Sequence, residues 1–370
     1  MLTRQSMKRR EFFKTTGMSA AGLVMLTSKG IVSACRVAEP KAGPIKVGQI
    51  GTAHAHASGK MVSLRKLGAW YEVVGIVEPD SVRRAAAESR AAYRDVKWMT
   101  EEALLNTPGL KAVAVETAVK DLLSTATRCI AAGMHVHLDK PAGESLSGFR
   151  SLLAQAEARR LTVQMGYMFR HNPAFRFCFQ AVREGWLGKV FEVHGSMNRE
   201  DNARSREPLL PYRGGAMFEL GGHMIDALVT VLGKPDAVTP YNRRIKPELD
   251  SLIDNQLAVF EYPQATATVR VCMAEIEGAR RRQFTVAGTG GTIDIRPIEP
   301  PNLSLTLDRP RGTFVKGRQE VSMPQMTGRY DDHLIELARI ILGEKEPEYA
   351  SDHDLLVQEL VLRASGLSVA

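Results

Sequence analysis

The chain has 370 residues and a formal net charge of +8, and 44% of its residues are hydrophobic, so it is long enough for two domains with buried cores. Residues 1–34 carry six Lys or Arg and one Glu, which leaves residues 35–370 with a charge of only +3. That balance gives no reason to expect a nucleic-acid partner. The four cysteines are too widely spaced for a disulfide framework or a zinc motif: Cys35, Cys129, Cys178 and Cys272.

The N-terminus has the composition of an export signal. Ser6–Lys14 places two adjacent arginines before two phenylalanines and resembles a twin-arginine signal. The run that follows, Thr15–Ile31, is weakly apolar and interrupted by glycines, so it is unsuited to spanning a membrane. Val32–Cys35 resembles a lipoprotein lipobox and predicts acylation of Cys35, but it also suits cleavage to a soluble product. We treat residues 1–34 as an address that lies outside the fold.

The twin-arginine route transports proteins that have already folded, often around a cofactor. The resemblance therefore implies the twin-arginine translocation machinery as a partner, and the periplasm or cell envelope as the location. It also implies that a nucleotide cofactor is loaded before export and stays tightly bound. An ordinary secretory signal or a membrane anchor is the alternative interpretation of the same residues.

After a short tether (residues 35–44), strands and helices alternate along the chain. The predicted strands lie at 46–51, 72–77, 112–115 and 135–138, and the predicted helices at 58–68, 81–93, 100–105, 120–132 and 145–159. This alternation is typical of a parallel, doubly wound α/β sheet, which we place at residues 45–160.

From residue 161 the pattern changes to strands that follow one another. They are predicted at 162–167, 190–198, 257–261, 266–273, 283–287 and 292–296, and helices at 331–342 and 353–365 close the chain. Consecutive strands favour an open, mostly antiparallel sheet. Residues 161–370 are therefore predicted to form a second, α+β domain, with its last helix placed to pack back on the first.

The first strand ends in a loop, Gly51–His56, where a dinucleotide-binding fold places its phosphate loop. The fingerprint of such a loop has three glycines. Gly51 supplies the first, Ala53 is a small replacement for the second, and His56 occupies the third position. The alternative is an ordinary strand–turn–helix connection.

Glu78 ends the second strand, where a carboxylate accepts hydrogen bonds from the adenosine ribose and repels a 2′-phosphate. It favours NAD over NADP, while the nearby Arg83 and Arg84 favour a phosphate. Capping of the next helix is the structural alternative for Glu78.

Lys140 follows the strand that ends at Leu138, and the carboxyl end of a parallel strand opens into the ligand crevice. A lysine there is suited to hold a substrate hydroxyl and the nicotinamide ribose. A solvated lysine before a turn is the alternative.

The glycine-rich segment Gly214–Asp226 carries an acid and a histidine four residues apart, Glu219 and His223, which predicts one helix face. A histidine beside a carboxylate is suited to proton transfer near neutral pH. A hydrogen-bonded core histidine is the alternative, and Asp226 either orients a group in the site or binds backbone.

Four segments match one family in order and spacing: Gly51–His54, Asp139–Pro141, Gly166–Pro173 and Gly214–Asp226. They resemble the glucose–fructose oxidoreductase / inositol dehydrogenase / MocA family across residues 45–366. The resemblance implies a Rossmann domain followed by an α+β domain whose open sheet forms dimers or tetramers. It implies an oxidoreductase that uses NAD, or less favourably NADP, on a sugar, polyol or other carbohydrate.

The resemblance also assigns the site. It implies a catalytic group of Lys140, His223 and Glu219. It implies cofactor contacts from Gly51, Thr52, Ala53, His54, Glu78, Thr117, Asp139 and Lys140. Substrate contacts are implied for Tyr167, Arg170, Asn172, Glu219 and Asp226.

The chain departs from the family pattern in its glycine loop, in Asp139 where the family has Glu, and in Glu219 where it has Asp. Two other functions therefore stay open. One is a redox-neutral glycosidase or lyase that forms a transient keto-sugar, with His54, Tyr167 or Glu219 as a second acid or base. The other is a non-catalytic sugar-binding relative.

The segment 198–213 is expected to set substrate specificity. Its arginines suit either an acidic sugar or a solvated loop: Arg199, Arg204, Arg206 and Arg213. No metal is predicted, because the histidines of 54–56 and 135–137 have no carboxylate or cysteine cluster in sequence to complete a shell.

Overall fold

The computed structural model describes Pro40 and residues 43–369. The predicted export signal and Cys35 lie outside the described residues. In the described part of the chain, no helix is both long and apolar enough to cross a membrane.

The first half is a doubly wound sheet, as predicted. Its strands are β1 (Ile45–Ile50), β2 (Tyr71–Val77), β3 (Leu110–Val115), β4 (His135–Leu138) and β5 (Val163–Met165). They are parallel and lie in the order β2-β1-β3-β4-β5. Because helices cover both faces, the central strands are short apolar runs that are almost fully buried. β5 pairs with β4, so this sheet extends past residue 160, where the sequence analysis ended the domain.

Five helices connect these strands: α1 (Ala57–Lys66), α2 (Ser81–Glu88), α3 (Glu101–Leu105), α4 (Val119–Ala131) and α5 (Leu146–Ala158). The helix predicted at 81–93 is shorter, and a 3₁₀ turn, Ala91–Tyr93, follows it. The reason is tertiary: Tyr93 is buried in a small core with Met61 and Ile76, and its hydroxyl accepts a hydrogen bond from Gln49. Packing of one aromatic ring thus overrides the helical preference of an alanine-rich segment.

The second half contains one large sheet with helices on one face. Its elements are α6 (Pro173–Arg183), β6 (Val190–Ser196), α7 (Ala203–Arg206), α8 (Gly222–Leu232), β7 (Ala237–Arg243), β8 (Asn255–Tyr262), β9 (Ala265–Cys272), β10 (Gln283–Gly288), β11 (Gly291–Ile295), β12 (Leu303–Leu307), β13 (Gly317–Val321), α9 (Asp331–Ile341) and α10 (Ser351–Ala364). The strand order is β13-β12-β11-β10-β6-β9-β8-β7. All pairs are antiparallel except β6 with β9, which confirms the predicted mostly antiparallel sheet. The sequence analysis missed α6, α7, β7, β12 and β13.

One face of this sheet is buried and the other is open, because buried residues alternate with partly exposed ones along β8, β9 and β12. α8 packs on the buried face at Gly195, where a Cβ atom would lie 2.9 Å from the Cβ of Met224. Glycine at this position therefore sets how closely α8, and the histidine at its start, approach the sheet.

The two C-terminal helices join the halves. In α9, Asp331 accepts a hydrogen bond of 2.7 Å from Ser63 of α1, and the Leu334 carbonyl accepts one of 2.6 Å from Tyr71. In α10, Gln358 bonds to the backbone after β4, at Ala142 and Gly143. These contacts hold α9 against α1 and β2, and α10 against the loop that follows β4, so the second half lies against the carboxyl end of β4.

Candidate active site

The loop after β1 has the features of a phosphate-binding loop. Gly51 has a φ of +92°, and a Cβ there would lie 2.6 Å from the backbone nitrogen of Thr117, so only glycine fits. Ala53 and Ala55 are exposed, and within the described residues their backbone N–H groups have no hydrogen-bond partner. Free N–H groups just before a helix N-terminus, here that of α1, fit the pyrophosphate of a dinucleotide.

A cavity of about 190 Å³ lies beside this loop, at the carboxyl ends of β1, β2 and β3. Gly51, Ala53, Glu78, Arg83 and Thr117 are among the residues that line it. The Glu78 carboxylate accepts hydrogen bonds from the Thr52 backbone and hydroxyl, at 2.9 and 2.8 Å. Arg83 lies 3.3 Å from the same carboxylate. An acid suited to ribose hydroxyls and a cation suited to a 2′-phosphate therefore stand together, and they fit either NAD or NADP.

Asp139 is the hub of a buried charge cluster beneath the loop. Its carboxylate lies 2.7 Å from Lys60, 3.0 Å from His54 and 3.2 Å from His56. Burial opposes its charge, but the positive groups around it hold the pKa of Asp139 well below its usual range. Asp139 and His54, predicted to contact the cofactor, are thus bonded to protein groups, and they shape the loop from below.

Lys60 and Glu116 complete this cluster, and the sequence analysis missed both. Lys60 is fully buried on α1, 2.8 Å from Glu116, which follows β3. Burial raises the pKa of Glu116 to about 8, although Lys60 opposes the shift. The available signal was the spacing of His56 and Lys60, four residues apart on one face of a helix.

The two histidines and Asp139 also offer three ligand atoms within 4.8 Å of one another. The Lys60 ammonium already lies 2.7 Å from the Asp139 carboxylate. A metal ion there would have to displace that ammonium, so the charge distribution of the cluster favours the lysine.

Lys140 lies immediately after Asp139, at the carboxyl end of β4, and is 1% exposed. Its ammonium donates hydrogen bonds to the backbone carbonyl of Glu219 at 2.6 Å and to the Glu219 carboxylate at 3.1 Å. Burial opposes the charge of Glu219, but Lys140 outweighs it and lowers the pKa of this acid. The structure thus brings the predicted lysine and acid together as a buried ion pair.

His223 stands beside this pair, in the first turn of α8, and is 2% exposed. Its Nδ1 atom is buried, and no described residue hydrogen-bonds to it. The ring lies 5.0 Å from that of Phe169 and 6.4 Å from that of His56, between centroids. Burial, and then the charge of Lys140, hold the pKa of His223 well below its ordinary value, so the imidazole is neutral and able to accept a proton.

The expected direct pairing of Glu219 with His223 is wrong, because Glu219 bonds to Lys140. Glu219 lies in a π-helical turn, Met217–Gly221, that precedes α8. The wider turn changes the angular spacing that the sequence analysis took from a regular helix.

Three of the predicted substrate contacts bind protein groups. Arg170 forms buried ion pairs with Asp226 at 2.6 Å and Asp354 at 2.5 Å, and Asp226 also bonds to His353. Asn172 caps α6 and donates to the Ile298 carbonyl. These side chains support the site from beneath, contrary to the expectation that they face the substrate.

Tyr167, like Glu219, is a predicted substrate contact that lies beside Lys140 and His223. Its ring meets that of His223 edge-on at 6.1 Å. Its buried hydroxyl has no hydrogen-bond partner among the described residues.

Three of the four arginines in the segment 198–213 also pair with carboxylates of the protein. Arg206 is buried on Asp250 and Asp254, and Arg213 pairs with Glu144. Arg199 pairs with Asp201 at 2.8 Å, close to the end of β6. The basic character of this segment therefore reflects several separate structural contacts.

A doubly wound domain with a phosphate loop, and a buried lysine and histidine where this domain meets the second half, fit a dinucleotide-binding oxidoreductase. Comparison with known proteins agrees. Residues 45–167 match the NAD-binding Rossmann fold of an oxidoreductase family, and residues 175–294 match the GFO/IDH/MocA C-terminal domain. The chain belongs to this Gfo/Idh/MocA family.

Among similar proteins, the uncharacterized oxidoreductase YhhX of Escherichia coli is 30% identical over 158 residues, which is 42% of this chain and 46% of that protein. The chain thus matches less than half the length of this relative. Aldose-aldose oxidoreductase from Caulobacter crescentus has the same fold, with a TM-score of 0.73 over 87% of this chain and 98% of that one, at 17% identity. KijD10, a 3-ketoreductase from Actinomadura kijaniata in complex with TDP-benzene and NADP, gives 0.69 over 87% and 96%, at 20% identity.

Proposed function

We propose that this protein is an NAD(P)-dependent oxidoreductase that interconverts a secondary alcohol and a ketone on a carbohydrate. The observation that carries the proposal is the placement of Lys140 and His223 side by side in the buried group where the two halves meet. The His223 Nδ1 atom there has no hydrogen-bond partner among the described residues. A neutral imidazole beside a buried ammonium is suited to take a hydroxyl proton while the ammonium holds the oxygen.

Each residue of the site has a distinct role in this proposal. His223 accepts the proton of the reacting hydroxyl, and Lys140 donates a hydrogen bond to the same oxygen and stabilises its developing negative charge. Glu219, now bonded to Lys140, accepts a hydrogen bond from a neighbouring substrate hydroxyl. A bound nicotinamide supplies the hydride acceptor, and the loop N–H groups of Ala53 and Ala55 hold its pyrophosphate.

The carbohydrate class is supported by two proteins of the same fold, one named aldose-aldose oxidoreductase and the other a 3-ketoreductase. The N-terminal sequence supports export by the twin-arginine route to the periplasm or cell envelope, with Cys35 as a site of acylation. Export favours a cofactor that stays tightly bound. The open face of the second sheet is the surface that we expect to form a homo-oligomer.

A panel of sugars and polyols, mixed with the purified protein and NAD or NADP, tests the proposal through the absorbance of the reduced nicotinamide. We expect reduction with at least one sugar, and its loss in His223→Asn. His194→Asn is the matched control, since His194 lies on the second sheet and bonds to Thr268. A protein that binds neither nucleotide contradicts the proposal.

A second candidate, redox-neutral cleavage of a glycoside, is favoured by His56. Its Nδ1 is 3.2 Å from Asp139, and its Nε2 has no hydrogen-bond partner among the described residues. The ring lies 6.4 Å from that of His223, so the site offers two imidazoles for two proton transfers. Release of an aglycone with no net change in reduced nicotinamide, abolished in His56→Asn, distinguishes this reaction from net oxidation.

A further inference from the structure

A group of arginines lies at one end of the second sheet, near the π-helical turn that carries Glu219. β6 and β10 are antiparallel neighbours, so the end of β6 and the start of β10 lie side by side at one end of this sheet. Arg199 follows β6, and Arg282 precedes β10. Both belong to elements that the family resemblance did not assign to the site.

Backbone contacts connect this end of the sheet to the reacting groups. Gly221, between Glu219 and His223, packs against Val271 of β9, where a glycine Cβ would lie 3.7 Å from the Val271 side chain. The next residue, Cys272, donates its N–H to the Asn198 side chain at 2.9 Å, and its carbonyl accepts from the Arg199 N–H at 2.9 Å. Two neighbouring residues of β9, Val271 and Cys272, therefore connect Arg199 to the π-helical turn that carries Glu219 and precedes His223.

Arg282 differs from its neighbours in its partners. Its Nε donates to the Asn198 carbonyl at 3.0 Å. Within the described part of the chain, no carboxylate lies within ion-pair distance, and the rest of its guanidinium makes no hydrogen bond. The side chain is half-buried. Burial lowers the pKa of Arg282, a sign that its charge is poorly compensated there.

Neighbouring charges do not neutralise it. Arg199 is paired with Asp201, and Arg329 is paired with Glu299 at 2.6 Å, so the three arginines share two carboxylates. Arg329 is adjacent to Tyr330, whose ring lies 5.7 Å from that of His56. Arg329 thus adds positive charge on the side of His56, and Arg199 adds it on the side of the second sheet.

We propose that Arg282 binds the carboxylate of the substrate, which makes the substrate an acidic sugar such as a uronate or aldonate. This inference rests on the proposed oxidoreductase function. A guanidinium with free Nη donors binds a carboxylate through two parallel hydrogen bonds, and the arginines beside it add attraction for a negative group. The substrate carboxylate supplies the negative charge that Arg282 lacks among the described residues.

The test is a binding measurement by calorimetry on the full purified protein with its nucleotide. The probes are glucuronate and gluconate, glucose as their uncharged counterpart, and glucose 6-phosphate as a different anion. We expect an acid to bind at least about 10-fold more tightly than glucose, in line with a charge-assisted hydrogen bond. In Arg282→Gln we expect this preference to disappear, and in Arg282→Lys to be partly retained.

The matched control is Arg281→Gln, which removes the same charge from the adjacent, exposed residue that pairs with Glu275. It should keep the preference for the acid. Equal loss in Arg281→Gln and Arg282→Gln, no preference in the unsubstituted protein, or a preference for the phosphate alone each overturns the inference. If the protein binds the nucleotide and glucose but does not prefer the acids, only this inference is overturned. If it binds no nicotinamide nucleotide, the proposed function itself is overturned.

Discussion

Two buried ionic groups of this protein carry similar side chains and differ in how their bonding capacity is used. In the reaction group (Lys140, Glu219 and His223), one ion pair stands beside an imidazole nitrogen that has no partner in the described structure. In the support group (Arg170, Asp226, Asp354 and His353), the arginine bonds to both carboxylates, and the histidine bonds to one of them. Arg170 and Asp226 lie in segments that match the family, as do Lys140, Glu219 and His223, and only the contacts distinguish the proposed reacting residues from the supporting ones.

The largest effect that separates the two groups is expected at His223. His223→Asn should lower kcat/KM by about 10²–10⁴-fold, the usual contribution of a general base. The melting temperature should change little, because Nδ1 has no hydrogen bond to lose. Steady-state kinetics and thermal unfolding on the same preparation check both expectations. A large loss of stability with little loss of rate would move His223 to the support group.

Arg170→Met, in contrast, should mainly lower the stability of the protein. It leaves Asp226 and Asp354 buried without their cation, and breaking a buried pair in this way costs about 3–5 kcal/mol of unfolding free energy. Urea denaturation measures the change. The control is Arg204→Met on the exposed surface, where we expect a change within about 0.5 kcal/mol. Equal effects of the two substitutions contradict the assignment of Arg170 as a support.

Gly51→Ala tests the loop that is proposed to bind the nucleotide beside the reaction group. The added Cβ meets the backbone at Thr117, and a left-handed backbone at a non-glycine residue costs on the order of 1–3 kcal/mol. We expect weaker nucleotide binding, measured by fluorescence titration. Gly133→Ala is the matched control, because its φ is also positive, at +84°, but its Cβ would meet no atom within 4 Å. Identical losses of nucleotide affinity would show that backbone strain, and not the loop contact, is responsible.

The smallest expected effect is that of His223 on the pH dependence of kcat/KM. The pKa of His223 is held well below its ordinary value by burial and Lys140, so the imidazole stays neutral as the pH falls through the usual histidine range. With the sugar identified in the panel, kcat/KM should show no decline from pH 8 to pH 6 that depends on His223. A decline in this range with an apparent pKa near 6.5, absent in His223→Asn, would show that the imidazole charges normally and is not buried as described.

The first sheet was predictable because its evidence is local. Apolar runs at regular spacing and Gly51 after the first strand define the doubly wound half and its loop. The strands β12 and β13 were missed because they are short and polar on their open face, and their pairing depends on distant partners. Lys60 and Glu116 were missed because a buried charge is recognised only from the groups that surround it, and Arg282 from the partner that it lacks.

The site predictions divide along the same line. Lys140 and His223 could be placed from strand ends and glycine-rich sequence. Arg170, Asn172 and Asp226 could not be separated from reacting residues, since an arginine opposite a substrate and an arginine opposite two aspartates have the same sequence pattern. The π-helical turn that directs Glu219 to Lys140 likewise has no signal in residue spacing.

The central claim is that the site belongs to a nicotinamide-dependent enzyme, and the nucleotide carried by the protein tests it most directly. Protein purified from its own cells is denatured, and the released small molecules are identified by mass spectrometry. The account predicts NAD or NADP, retained through purification as the proposed export of a folded, cofactor-loaded protein requires. A preparation that releases no nicotinamide nucleotide, and that takes up neither NAD nor NADP when they are added, would contradict it.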